Sequence, residues 1–297
     1  MSAPIKVVIF GASGRTGGEI VAVCRPSSVD KPQNDALKKN GVRVLGLEIT
    51  GPREPLVDVI KGADAVIAPL HFLAMEQQTI LIDVCKEVGV GRFIPDNFQP
   101  VTPPAGTMVM REAKEKIINH IKLQRVPYTI IDVAWWYQIL PYKVPSGRAD
   151  YVVPYGPEDT NHIPGDGNVR VSFADLTAVG DKVARIFADP RTVNKYVHMY
   201  DEVMTHHQVL EILEDVSGEK IERAYKTAKQ YQDAISEMDK VLAKDSTDVA
   251  AQIVRTLSQY QLSMSVRGDS TPEVADYLGY LDVYKLYPDL EPAKLRT

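Results

Sequence analysis

The segment from Phe10 to Arg25 limits what this chain can fold into more than any other. It holds the glycine string Gly11-Ala-Ser-Gly14-Arg-Thr-Gly17 and then too few residues for the helix such a string normally opens. Before it, Ile5-Lys-Val-Val-Ile-Phe10 is short, β-branched and apolar, as a buried parallel strand ending at a glycine turn would be. Glycines in this pattern let the backbone turn tightly and approach a pyrophosphate, whose charge meets free N–H groups at a helix N-terminus. Gly11, Ser13, Gly14, Arg15, Thr16 and Gly17 are therefore expected to hold a dinucleotide, and Arg25, with Arg15 as a second contact, to meet a 2′-phosphate, which points to NADP(H). The alternative is an ordinary tight turn followed by a solvated arginine.

Two local structures compete just after the string. If Ile20-Val-Ala-Val-Cys24 is the second strand, about one helical turn fits before it, whereas a whole βαβ crossover takes at least ~10–12 residues. If instead Thr16 to Cys24 is the helix, the second strand is missing and Pro26 is the stop. In either case the first βαβ unit is stunted.

The remainder alternates strand and helix signals, the pattern of an α/β parallel sheet covered on both faces. Helices are expected near Gln33–Lys39, over Pro52–Ile60, over Leu73–Val88 closed by Gly89, and over Met110–Gln124. Strands are expected at Val42–Leu47, Ala65–Ala68, Arg92–Ile94 and Tyr128–Val133. Residues 141–168 are rich in Pro and Gly, and from Thr205 onward helices dominate, including Lys226–Met238 and Val249–Leu262, as in a separate lobe. A formal net charge of -5 over 297 residues argues against a nucleic-acid-coating surface, since such binding rests on phosphate neutralisation. No apolar run reaches the ~18 residues of a membrane span, so a cytoplasmic protein without membrane partners is expected. Cys24 and Cys85 lack metal or disulfide spacing and read as small core residues; His206-His207 lacks a third ligand, so no metal is expected.

On the helix expected from Met110, the residues Met110, Ala113, Ile117, His120 and Ile121 mark one face, with Lys114 at its edge and Lys116 pointing away. A lysine at an apolar edge is discharged more easily through desolvation and can serve as a general acid or base. The bland alternative is a solvated lysine whose stem covers the helix flank. His71, Asn97 and Phe98 follow strand ends at the carboxyl edge of the sheet, where ligands of such folds collect. Trp135, Trp136 and Tyr137 follow another strand end and would either floor an aromatic substrate pocket or belong to the core.

Together, the glycine string, Val23-Cys-Arg25-Pro26, Gly91-Arg-Phe-Ile-Pro95, Lys114 thirteen residues before Pro127-Tyr-Thr, Gly165-Asp-Gly-Asn168 and Asp189-Pro-Arg-Thr-Val-Asn-Lys195 resemble the isoflavone and pinoresinol reductase branch of the NmrA-like, atypical short-chain dehydrogenases. Their order and spacing run through Leu286-Tyr-Pro-Asp289, and Trp135-Trp-Tyr137 and Ser146-Gly-Arg148 look more like fungal members. The resemblance implies a Rossmann-like domain over 1–135 and 168–203 that binds NADP(H), and a smaller, mostly helical substrate lobe over 136–167 and 204–297. It also implies Lys114 as the catalytic acid or base in reduction of a small aromatic or other secondary metabolite. The chain departs from plant members in having Pro95-Asp-Asn-Phe-Gln99 where they have Pro-Ser-Glu-Phe-Gly, and Ile118-Asn119 where they place two arginines. A non-redox cyclase or isomerase and an NADP-sensing regulator of the NmrA type are the alternatives on the same fold.

Overall fold

The structure is a computed structural model that describes residues 5–10, 19–140, 142–148 and 162–296. The chain divides into two compact units, one of Met1–Phe98, Ala113–Ile131 and Gly180–Val197, the other of Gln99–Glu112, Asp132–Val179 and His198–Thr297. Residues 99–112, 132–135, 168–179 and 198–203, assigned by the sequence to the cofactor domain, thus group with the second unit.

The first unit is built on a parallel sheet of β1 (Lys6–Phe10), β2 (Glu19–Cys24), β3 (Arg43–Gly46), β4 (Ala65–Ala68) and β5 (Arg92–Pro95) in the order β3-β2-β1-β4-β5. The order reverses between β1 and β4, and in open parallel sheets that switch point is where the carboxyl ends of the strands leave a crevice. Strand β4 is buried throughout, as both-face coverage requires, and its run Ala65-Val-Ile-Ala68 was legible for that reason. Next along the chain β6 (Thr129–Val133) begins beside β5, with the N–H of Phe93 donating to the carbonyl of Pro127 at 2.8 Å.

Register decides between the two readings of the stunted unit. Lys6 lies opposite Glu19 and Phe10 opposite Val23, so the segment before Cys24 is a strand, and the helical alternative for it is overturned. Ile20, Val21, Ala22 and Val23 are all at most 5% exposed, and β-branched residues covered on both faces gain more in a sheet interior than in a one-sided helix. The connection between β1 and β2 is residues 11–18, short of the ~10–12 residues of a whole crossover.

Helices α1 (Pro32–Lys39), α2 (Arg53–Ile60) and α4 (Val109–Gln124) fall where the sequence put them, α3 (Gln78–Val88) starts later than expected, and α5 (Val179–Ala188) was not anticipated. The run expected as one helix from Leu73 is instead a 3-10 turn, Phe72–Gln77, leading into α3, which Gly89 closes in the left-handed conformation at φ 72°. Gly91 is required by close approach, because a Cβ there would stand 2.8 Å from the carbonyl oxygen of Asp64. Cys85 is a core residue whose thiol burial pushes up to about 12; Cys24 is partly buried.

The face of α4 differs from the expected one. Its buried residues are Arg111, Lys114, Ile117, Ile118 and Ile121, with Met110 and Ala113 only partly covered and Lys116 exposed. Lys114 therefore lies inside the buried stripe instead of at its edge. Two cations on that stripe, Arg111 and Lys114, broke the apolar pattern and displaced the apparent face by one position.

The second unit carries β7 (Trp135–Trp136), β8 (Ile163–Pro164), β9 (Arg170–Ala174) and β11 (Glu202–Thr205), while β10 (Lys195–Met199) enters it from the first. One sheet runs β11-β9-β7, with β9 antiparallel to β11 and parallel to β7. The unit also holds α6 (His206–Ser217), α7 (Ala228–Lys244), α8 (Val249–Tyr260), α9 (Pro272–Tyr277) and α10 (Val283–Leu286), and a π-helical turn, Gln261–Arg267, follows α8. Helix α7 starts at a capping box of Thr227 and Gln230 and runs past the expected end at Met238 because Leu242 continues its buried side. Residues Gly165–Asn168 form a turn at which the ring Nε2 of His207 meets the carbonyl of Asp166 at 2.8 Å.

Candidate active site

In the first unit, the chain leaves β5 through Pro95-Asp-Asn-Phe98, and two buried polar side chains fix this exit. On β5 itself, the Arg92 guanidinium donates to the carbonyls of Ile186 at 3.0 Å and Asp189 at 3.1 Å and to the Thr192 hydroxyl at 2.8 Å. It thereby satisfies orphan carbonyls at the C-terminus of α5, where a cation is favoured. Arg92 and Thr192 belong to two of the sequence motifs, and this contact explains both as scaffold. At the strand end, the Gln78 side chain accepts a hydrogen bond from the Asp96 N–H at 2.8 Å and donates to the Met75 carbonyl at 3.1 Å. Gln78 is 1% exposed, so the loop is held by a group that water does not compete for.

Lys114 reaches this loop from α4. It is 7% exposed, and its Nζ donates to the Asn97 carbonyl at 2.8 Å and stands 3.9 Å from a carboxylate oxygen of Asp96. Desolvating an ammonium costs several kcal/mol unless opposite charge and hydrogen bonds compensate it. At this distance a unit charge pair is worth ~1 kcal/mol in water and ~4 kcal/mol at the effective dielectric of protein. The Asp96 side chain is 15% exposed, which puts the pair nearer the second figure. Burial lifts the Asp96 carboxyl above its ordinary range, while the charges of Lys114 and His71 oppose the lift without cancelling it.

The other expected residues are placed as follows. Gly11, Ser13, Gly14, Arg15, Thr16 and Gly17 lie outside the described residues. Arg25 is exposed at the end of β2 and opens a short turn, with its carbonyl accepting from the Ser28 N–H at 2.8 Å. His71 follows β4, exposed, and its Nδ1 accepts from the Leu73 N–H at 3.4 Å, which leaves Nε2 as the protonated nitrogen of the neutral ring. Asn97 is 1% exposed and Phe98 is half-buried. Lys114, Asn97 and His71 thus gather around Asp96, a residue that sequence reasoning did not select. Its signal was available: an acid directly after the apolar strand end Phe93-Ile-Pro95.

In the second unit, Trp135 and Tyr137 are in the core with Phe173, Met204 and Leu210, and Trp136 is half-buried. The Tyr137 ring stacks on Phe173 at 6.2 Å and its hydroxyl donates to Glu202 at 2.8 Å, a fully used side chain. Trp135 packs against Tyr260 with ring centroids 5.6 Å apart.

Residues 5–267 match the model of the NmrA-like family. The chain belongs to the NmrA-like family. It is 38% identical over 300 residues to asnovolin J 5′,6′-dehydrogenase of Aspergillus novofumigatus, covering 96% of this chain and 91% of that protein. It is 28% identical to the isoflavone reductase of Pisum sativum over 98% of this chain and 96% of that one. Among solved structures, the binary complex of Vitis vinifera leucoanthocyanidin reductase with NADPH superposes with a TM-score of 0.78 at 21% identity, covering 98% of this chain and 97% of that chain. At that identity the likeness speaks to the fold, an α/β Rossmann-like sheet with flanking helices. No helix among the described residues is long and apolar enough to cross a membrane.

Proposed function

We propose that this protein is an NADP(H)-dependent oxidoreductase acting on a small aromatic or other secondary metabolite, with Lys114 as its general acid or base. The observation that carries the reading is the buried Lys114 ammonium held against the carboxyl end of β5 by Asn97 and Asp96. A lysine on that edge has no packing reason to be buried, and proton transfer by a positioned group is one of the tasks that repays the cost. The kinship to a fungal dehydrogenase and a plant reductase supports the redox class. The first unit would be the dinucleotide domain and the second the substrate lobe, with Trp136 the most available of the three aromatics.

The edge fits the 2′-phosphorylated cofactor in its charge. At the end of β2, next to β1 in the sheet, stands the exposed cation Arg25, at the place where a carboxylate would instead favour a free ribose hydroxyl. Arg25 would pair with the 2′-phosphate, and His71, Asn97 and Phe98 would line the crevice toward the reacting ring. The cofactor, when bound, supplies or accepts the hydride; the chain's own work is to orient the substrate and to move a proton at Lys114 Nζ.

The test is a titration of NADPH and NADH by intrinsic tryptophan fluorescence. NADPH is expected to bind more tightly, and Arg25→Ala to narrow the preference by ten-fold or more, since a charge-assisted contact is worth ~1.5–3 kcal/mol. Equal affinities in the unaltered protein would overturn the role of Arg25. The short connection between β1 and β2 favours a second reading, a non-redox isomerase or a sensor. It would be preferred if neither dinucleotide binds below the millimolar range.

A further inference from the structure

We propose that Asp96 is a positioning residue for Lys114, holding its ammonium in place and in the charged form so that Lys114 enters the reaction as a proton donor. The inference rests on the reading of Lys114 as the proton-handling group and deepens it: the unaided expectation for a buried lysine is early discharge, and Asp96 works against that.

Geometry carries the case. The carboxylate stands 3.9 Å from Nζ, and the backbone N–H of Asp96 is tied at 2.8 Å to the buried Gln78 side chain, which fixes the point from which the carboxylate reaches Lys114. The Asn97 carbonyl accepts from the same Nζ at 2.8 Å, so two consecutive loop residues present a full and a partial negative charge to one ammonium. A carbonyl oxygen can only accept, and it would lose part of its partner's charge if Lys114 were discharged. The titratable groups facing Asp96 are Lys114 from α4 and His71 from the segment after β4. His71 is exposed and solvent screens it, whereas Lys114 is enclosed with Asp96. After Lys114 Nζ gives its proton to the substrate, solvent returns one to the amine, and the negative charge of the Asp96 carboxylate beside it favours that return.

The experiment uses the full chain labelled with 13C at lysine Cε and no cofactor, with the Lys114 signal identified by its loss in Lys114→Met. Asp96→Asn is expected to lower the midpoint of the Lys114 titration by about one pH unit or more, a ten-fold loss of proton affinity, and Asp96→Glu to restore most of it. With NADPH and a substrate found by screening, the alkaline limb of the pH profile of kcat/KM should move by the same amount in Asp96→Asn. Asp96→Ser, shorter and uncharged, takes the place of Asp96→Asn should that variant not fold. An unmoved midpoint, with Lys114→Met inactive, overturns the role of Asp96 alone. Full turnover in Lys114→Met overturns the reading of Lys114 and with it this proposal, whatever the midpoint does.

Discussion

Replacing Lys114 with alanine or methionine is expected to lower turnover by roughly 10²–10⁴-fold, the contribution of a positioned acid or base. Dinucleotide affinity should change little, since the expected phosphate contacts lie at the other strand ends. Lys116→Ala is the control: it is on the same helix, carries the same charge, and is exposed, so its removal should be nearly silent. The contrast separates chemistry from charge. A loss in Lys114→Ala that came from the missing charge alone would appear in part in Lys116→Ala, and a loss through misfolding would appear in the thermal midpoint. Turnover within a factor of three of the unaltered protein in Lys114→Ala would remove the proton-transfer role and shift the weight to the non-redox or sensing alternative.

How much of this was legible beforehand depends on the element. Strands such as Ala65–Ala68 and helices such as Arg53–Ile60 were readable because each is covered by neighbours that its own pattern anticipates. The second strand was ambiguous because Ile20 to Cys24 is too short for periodicity to separate strand from helix; pairing with β1 and β3 decides it, and pairing is not local. Lys114 was read at the edge of its stripe, whereas it lies inside it, since hydrophobic periodicity scores any cation as outward. The carbonyl of Asn97 and the carboxylate of Asp96, brought from seventeen or so residues away, offset the cost of its turning in. The aromatic run Trp135 to Tyr137 shows the converse: its composition suits a pocket, yet Glu202 and Phe173, distant in sequence, engage Tyr137 fully.

Acid should destabilise the protein well before its surface carboxylates are protonated. Two histidines of the second unit are buried and neutral. His198 on β10 is 1% exposed and stacks on Tyr200 at 4.8 Å, and neither ring nitrogen has a hydrogen-bond partner among the described residues. Burial lowers it to about 4, and the charges of Asp282 and Glu273 recover only part of that. His206, at the start of α6, is also lowered to about 4, by burial first and by His207 second. Its ring sits in a chain of fixed direction. Ser265 donates to Gln261 at 2.8 Å, so Ser265 must accept from His206 Nε2–H at 2.8 Å, and the Tyr142 hydroxyl then donates to Nδ1 at 2.6 Å. A second proton on the ring would have to displace that of Tyr142. An unfolded histidine takes its proton near pH 6.5, so between there and about pH 4 the unfolded chain binds protons that the folded one refuses. Stability is therefore fully present above pH 6.5 and falls as the pH drops, at up to ~1.4 kcal/mol per pH unit for each histidine, or about 3 kcal/mol each over the window. The lowered carboxylates, Glu214, Glu219 and Glu273 among them, act only below their own ordinary range and so do not supply this slope. Urea unfolding of the cofactor-free chain at pH 7, 6, 5 and 4.5 should show the decline, and His206→Gln should reduce its steepness by about one proton's worth. A flat dependence down to pH 4.5 would mean that both rings are reached by water and titrate normally in the folded state.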